Sequence, residues 1–229
     1  MAILIIDKIL HYLTHVGGKT MKKCTAILAI IGMIMMAVSY PIPAAADADE
    51  IQEEWTAWHR SAATQSHEIG GFHTPATVAI DADGNLYVGE TGFSRIQKLS
   101  AASSEWSQFA GEGNQLGEFY QPHGMAFDTA GNLYVADHNH RVQKRDAVTG
   151  TWSDLGEGQG DGIGQFNFPS GIAVDGAGNV YVSDLNNDRV QKYDAEEEEW
   201  SIFAESGTAD AGKVYRPRGI AIDQSGRIY

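Results

Sequence analysis

Few residue types in this 229-residue chain could do chemistry. His138 and His140 stand two apart and offer two imidazoles, but a catalytic zinc takes about three protein ligands and keeps an open position. No third ligand stands in the same turn, so two solvated turn histidines are the simpler reading. Asp81-Ala82-Asp83-Gly84-Asn85 looks like a calcium loop, yet an EF-hand places glycine sixth, where this chain has Leu86. Gly17-Gly18-Lys19-Thr20 ends like a phosphate-binding loop whose leading glycine would fall on Leu13, so the motif fails. The Gly-rich run from Gly156 to Gly164 lacks the strand-to-helix setting of a phosphate cradle and reads as a crossover loop. Cys24 is the single cysteine, and no Ser/His/Asp set can be assembled from spacing. Any chemistry must come from a scaffold that brings separate side chains together.

That scaffold is visible as a repeat. FNFPSGIAVDGAGNVYVSDLNNDRVQKYD, residues 166–194, recurs upstream as FYQPHGMAFDTAGNLYVADHNHRVQKRD, residues 119–146. A looser copy, FHTPATVAIDADGNLYVGETGFSRIQKL, covers residues 72–99, and VYRPRGIAIDQSGRIY starts a fourth at Val214. Pro75, Pro122, Pro169 and Pro217 set steps of 47, 47 and 48 residues, a period that marks a repeat architecture. In each copy a short apolar strand (Val78–Ile80, Met125–Phe127, Ile172–Val174, Ile220–Ile222) ends at Asp81, Asp128, Asp175 or Asp223, which starts a turn. Gly84, Gly131, Gly178 or Gly226 then supplies the positive φ of a tight hairpin. A second strand follows at Leu86–Val88, Leu133–Val135 and Val180–Val182. A third runs over Arg95–Leu99, Arg141–Arg145 and Arg189–Tyr193, and a fourth begins at Trp106, Trp152 and Trp200. Four short antiparallel strands without helical periodicity predict an all-β chain of propeller blades. Apolar first and second strands imply burial on both faces, by stacking between neighbouring blades. Three units and half of a fourth make an incomplete ring of about three and a half blades. The expectation is a C-terminally truncated fragment, with further blades beyond Tyr229.

The chain carries a formal net charge of −14. Residues 21–46 combine a basic start, an apolar stretch of about fourteen residues and an A-x-A pattern at Ala44 and Ala46, as in a secretory signal peptide. Residues 1–20 read as a mis-assigned upstream start, since Gly17–Thr20 is what a translated bacterial ribosome-binding site would encode. Removal of residues 1–46 leaves 12 basic against 29 acidic residues, a net of −17. Such a surface repels phosphate backbones and anionic lipids, so neither nucleic acid nor, after cleavage, the membrane is an expected partner. Residues 47–54 form an acidic linker. Trp55, in a segment similar to Glu198–Ser206, is expected to start an orphan outer strand, with the propeller spanning 55–229. The protein is therefore expected to be secreted, extracellular or at the cell surface.

Written out, the pattern P-x-G-I-A-V-D-x-x-G-N-V-Y-V-x-D-x-x-N-x-R-V resembles the NHL repeat from Phe72 to Tyr229. The resemblance implies a six-bladed β-propeller and a family whose functions include ligand-binding domains of bacterial surface proteins, RNA binding, and a peptidyl-hydroxyglycine lyase. Strand direction puts the residue after each anchoring proline, Ala76, His123, Ser170 and Arg218, on the channel-mouth face. The turns His138-Asn139-His140 and Asn186-Asn187-Asp188 join them there, forming the expected ligand-binding surface. Pro122-His123-Gly124 is similar to the lyase element in which histidines of alternate blades meet on zinc. The same position holds Ala76, Ser170 and Arg218 elsewhere, so His123 alone does not make that site. Asp137 with Arg141, and Asp184 with Arg189, read as structural pairs, and Glu196–Glu199 as a solvated rim. The reading favours a non-catalytic binding module for an extracellular peptide, glycan or cell-wall component, with no catalytic residues and no cofactor. The alternative is a secreted metal-dependent lyase or lactonase-like hydrolase. Zinc or calcium enters only there.

Overall fold

The computed structural model describes residues 67–207, 213–223 and 225–229. The expectations for residues 1–20, 21–46 and 47–54 and for the Trp55 strand lie outside them. The described residues form three antiparallel sheets and no α-helix. β1 (Pro75–Ile80), β2 (Leu86–Glu90), β3 (Arg95–Leu99) and β4 (Trp106–Ala110) pair in sequence order. So do β5 (Pro122–Phe127), β6 (Leu133–Asp137), β7 (Arg141–Arg145) and β8 (Trp152–Asp154). β9 (Pro169–Val174), β10 (Val180–Asp184), β11 (Arg189–Asp194) and β12 (Glu199–Ser206) make the third sheet. β13 (Lys213–Val214) adds to it in parallel beside β12. The fourth copy contributes the Ile222–Ile228 bridge. This is an incomplete β-propeller, as the repeat predicts.

The first strand of each blade is longer than its apolar triplet suggests. It begins at the anchoring proline, and a register shift follows at once, between Pro75 and Thr77 in β1 and between Pro122 and Gly124 in β5. The residue after the proline therefore sits in a bulge at the head of a strand, where an extra residue bends the chain and re-aims its side chain.

The hairpin between first and second strands is tied by one aspartate. Asp128 Oδ1 accepts the Asn132 backbone N–H at 2.8 Å, and Oδ2 accepts Asn132 Nδ2 at 2.7 Å and the Tyr134 hydroxyl at 3.1 Å. Asp81 and Asp175 repeat this pattern, and Asp223 repeats it with Arg227 and Tyr229. Burial and the aspartate's charge hold the Tyr134 hydroxyl above the usual phenol range.

The cores lie between blades. Tyr87, Ile96 and Ala110 of the first pack against Phe119, Met125, Leu133 and Val135 of the second. Tyr134, Ala136 and Val142 do the same with Phe166, Ile172, Val180 and Val182 of the third. Burying one Phe or Val here is worth about 1.5–3 kcal/mol. Second strands are buried from end to end, as expected, but β1 is only half-buried because no described sheet covers its other side.

Arg-x-Gln opens every third strand, and both side chains reach back to the loop before the blade's own first strand. Gln143 Nε2 donates to the Glu118 carbonyl at 3.0 Å, while its Oε1 accepts the Gly117 N–H at 2.8 Å. Gln97 and Gln191 do likewise to Gly71 and Gly70, and to Gln165 and Gly164. All three glutamines are fully buried, and satisfying both ends of each amide is what makes that burial tolerable. The glycine they hold lies under the fourth-strand tryptophan, which also meets the nearby Phe edge-on (Phe119–Trp152, centroids 5.2 Å).

Candidate functional site

At the channel-mouth end, each second strand finishes in a buried carboxylate. Glu90 and Asp184 each lie five residues before their arginine and meet its Nε, at 2.6 and 2.8 Å. Asp137 lies only four before Arg141, so the second blade's turn is one residue shorter. Here the shorter reach presents Nη2 to Asp137, at 3.0 Å, and leaves Arg141 Nε buried with no partner among the described residues. Both aspartates and their arginines are structural pairs, as the sequence suggests. Burial pushes the Asp137 and Asp184 carboxyls up, against the opposing pull of the arginines and backbone N–H donors.

Two left-handed positions recur on this face. The residue before each anchoring proline has positive φ (Thr74 53°, Gln121 51°, Phe168 56°, Arg216 44°), as does the residue before each third strand (Ser94 49°, His140 61°, Asp188 51°). Such backbone is costly for a side-chain-bearing residue and persists only where its surroundings enforce it. Here the enforcement is a bond between blades. Ser94 Oγ accepts the Gln121 N–H at 3.2 Å, His140 Nδ1 accepts the Phe168 N–H at 3.2 Å, and Asp188 Oδ1 accepts the Arg216 N–H at 2.7 Å. His140 thus serves as the second blade's latch, with the neutral ring protonated on Nε2. The repeats do carry a signal for this latch: the column before the strand-opening arginine holds an acceptor in all three copies.

The predicted surface residues divide sharply. Ser170 is buried, and its hydroxyl bonds the Pro217 and Arg218 carbonyls, each at 3.1 Å. Asn187 Nδ2 donates to Asp184 Oδ2 and the Gly160 carbonyl, both at 2.8 Å. Asn186 bonds Asn167, and Asn139 Nδ2 bonds Asn114 Oδ1 at 2.8 Å. Asp188 is the latch. Ala76 brings no polar group. These side chains hold blades and turns together.

His123 and His138 differ. Their rings stack at 4.0 Å between centroids with 16° between planes. Gln121 Oε1 lies 3.1 Å from His138 Nδ1, and His138 Nε2 is buried with no partner among the described residues. Phe168, which the sequence reading passed over, stands edge-on to both His138 and His140, each at 4.8 Å. Burial, then the charges of His123, His140 and Arg218, lower His138 to about 4. Burial and Arg218 also lower His123. Gly124 and Gly171 allow the blades to close here: a Cβ on Gly124 would lie 2.5 Å from the Ser170 carbonyl oxygen, and one on Gly171 2.3 Å from that of Arg218. His123 and His138 therefore meet at the head of the second blade, with the third blade closed against it and the fourth copy closed against the third.

The pair does not fit a shared zinc. Imidazole donates from the ring plane, at about 2.0–2.1 Å from the ion. Two near-parallel planes 4.0 Å apart cannot converge on one ion, and His140 Nδ1 is already accepting the Phe168 N–H. No group of three His, Cys, Asp or Glu that could hold a metal ion occurs among the described residues.

Fold and site together define an incomplete propeller whose mouth face carries a histidine-rich corner. A family profile described as the NHL repeat matches two of the copies, residues 119–144 and 166–193. No curated protein matches it in sequence. Among solved structures it is similar to a protein of unknown function from Bacteroides thetaiotaomicron (20% identity, TM-score 0.52), covering 66% of this chain and 42% of that one. A catalytically inactive virginiamycin B lyase from Staphylococcus aureus with quinupristin gives 15% identity and TM-score 0.50, over 67% and 47%. A chain of a nidogen/laminin complex gives 21% and 0.50, over 64% and 51%. The chain thus spans about half the length of these structures, and the likeness is one of fold.

Proposed function

We propose that this protein is a secreted, non-catalytic binding module whose propeller presents a ligand site on the channel-mouth face. The observation that carries the reading is the contrast within that face. Ser170, Asn186, Asn187 and Asp188 of the third blade are spent on holding the fold, whereas the second offers a stacked histidine pair in which His138 Nε2 is buried without a partner among the described residues. A rigid scaffold with unspent polar groups at its loop end is where recognition is expected. The ligand is an extracellular peptide, glycan or cell-wall component, and the acidic chain argues against nucleic acid.

The test is binding of the full-length chain to peptide, glycan and cell-wall fragment panels, beside His123→Ala/His138→Ala. A ligand retained intact by the wild type and lost by the variant supports the reading. A ligand consumed, seen as a change in its mass, refutes the non-catalytic part. That outcome would favour the second reading, a propeller lyase or hydrolase, for which Pro122-His123-Gly124 and the fold shared with virginiamycin B lyase speak. Stoichiometric zinc or calcium in the purified protein would point the same way.

A further inference from the structure

We infer that the seam between the second and third blades carries an acid-released latch. Protonation of His140 at Nδ1 takes the acceptor away from the Phe168 N–H and frees the entry to the third blade's first strand, while the neighbouring seams stay closed. The three latches share one geometry and differ in the accepting group. Ser94 Oγ holds the Gln121 N–H and Asp188 Oδ1 holds the Arg216 N–H, whereas His140 Nδ1 holds the Phe168 N–H at 3.2 Å. Of hydroxyl, carboxylate and imidazole, only the imidazole ordinarily changes charge in mild acid. A proton on Nδ1 turns that acceptor into a second donor facing the amide. The latch bond and the charged ring exclude each other.

The surroundings favour release. Phe168 has a φ of 56°, a strained backbone for a phenylalanine that needs an outside hold. Burial lowers the proton affinity of His140, and the charges of Asp137, in its own turn, and Asp184, in the third blade, raise it in part. Both carboxylates are buried and bound to Arg141 and Arg189, so neither turns to meet an imidazolium. His138, in the same turn, is lowered to about 4 by burial and by the charges of His123, His140 and Arg218, and stays neutral in mild acid. Its Nδ1 faces the Gln121 carbonyl oxygen as a donor, a bond that protonation leaves intact. Release is also local. The Asn167 N–H stays on Asp184 Oδ1 at 2.7 Å, and Pro169 stays paired with Asp184. Below the ordinary imidazole range the latched form holds fewer protons than the released one. Opening therefore becomes up to about tenfold easier per pH unit, until the latched His140 itself titrates.

The experiment is amide hydrogen exchange, read residue by residue by NMR on the full-length chain from about pH 7.5 to about 5.5, with the intrinsic pH dependence of exchange divided out. Protection of the Phe168 amide falls by about five- to tenfold over that range, whereas the Gln121 and Arg216 amides keep theirs. Proton–nitrogen spectra of the imidazoles show His140 as the Nε2–H tautomer at the upper end. His140→Ser and His140→Asp borrow the acceptors of the neighbouring blades, Ser94 and Asp188, which have the same left-handed backbone. Both variants remove the acid loss at Phe168. A parallel decline at all three amides overturns the inference, as does no decline at Phe168. So does a decline that survives in both variants, or an Nδ1–H tautomer. The wild-type comparison and the tautomer decide the matter even where a variant folds poorly.

Discussion

The mouth corners of the second and third blades are built from one repeat and end in different states. In the third, a full-length turn brings Arg189 Nε onto Asp184 and leaves Nη1 and Nη2 for the Asp161, Gly162 and Gln165 carbonyls. Every guanidinium nitrogen is used. In the second, a turn shorter by one residue offers Arg141 Nη2 instead, strands Nε, and installs two imidazoles with low proton affinity, one of them stacked on His123. A single deletion within a repeat thus separates a corner specialised for holding the fold from one with capacity to spare. Buried unsatisfied groups are rare in folded proteins, and a cluster of them on the loop face marks where stability was not the only demand.

The most forceful way to break the comparison is to remove the arginines. Arg189→Ala leaves Asp184 buried and unpaired and lowers unfolding free energy by about 3–5 kcal/mol. Arg141→Ala, from the looser clamp, costs about 1–2 kcal/mol less. Urea denaturation of both variants gives the order, and equal losses would show the two clamps to be equivalent. Replacing His138-Asn139-His140 by the third blade's Leu-Asn-Asn-Asp restores the missing residue and satisfies Arg141 Nε. The graft stabilises by about 1–3 kcal/mol and abolishes binding at the mouth.

pH sharpens the contrast further. His123 and His138 have native pKa values below the ordinary 6.5, so the unfolded chain takes up protons first as pH falls. Stability is unaffected above 6.5 and declines from there towards about 4, where His138 titrates in the native state. The loss is roughly 1–2 kcal/mol, allowing for solvent around half-buried rings. Asp137 and Asp184, raised by burial, act in the opposite sense at lower pH. They are present in wild type and graft alike, so the difference between the two denaturation series isolates the turn imidazoles, His138 and His140. The smallest effect is at the latches: His140→Ala costs about 1 kcal/mol and Asp188→Ala somewhat more, because its acceptor is charged.

Much of this was legible in the repeat. The Asp-x-x-Gly-Asn hairpins, the tryptophans opening the fourth strands and the stacking of blades all follow from local chemistry repeated at a fixed period. The gathering of His123 with His138 follows from strand direction alone. What was not legible depends on contacts between copies. Ser170, Asn186 and Asn187 look like ligand groups in sequence because nothing local shows that their hydrogen bonds are taken by residues 47, 19 and 27 positions away. The left-handed backbone before each proline is equally hidden, since the residue there is Thr, Gln, Phe or Arg and none favours that conformation. Gln97, Gln143 and Gln191 were visible as polar residues inside apolar strands, but their role needs the loop they grip.

That grip decides who owns the connecting peptide. Because the third strand's arginine and glutamine clasp the segment running up to their own first strand, residues 113–118 belong with the second blade and 160–165 with the third. An engineer shuffling modules, or lengthening the array, should place the seam just downstream of a fourth strand, near Gly111 or Gly156. A splice at the proline would leave each clasp holding a foreign sequence.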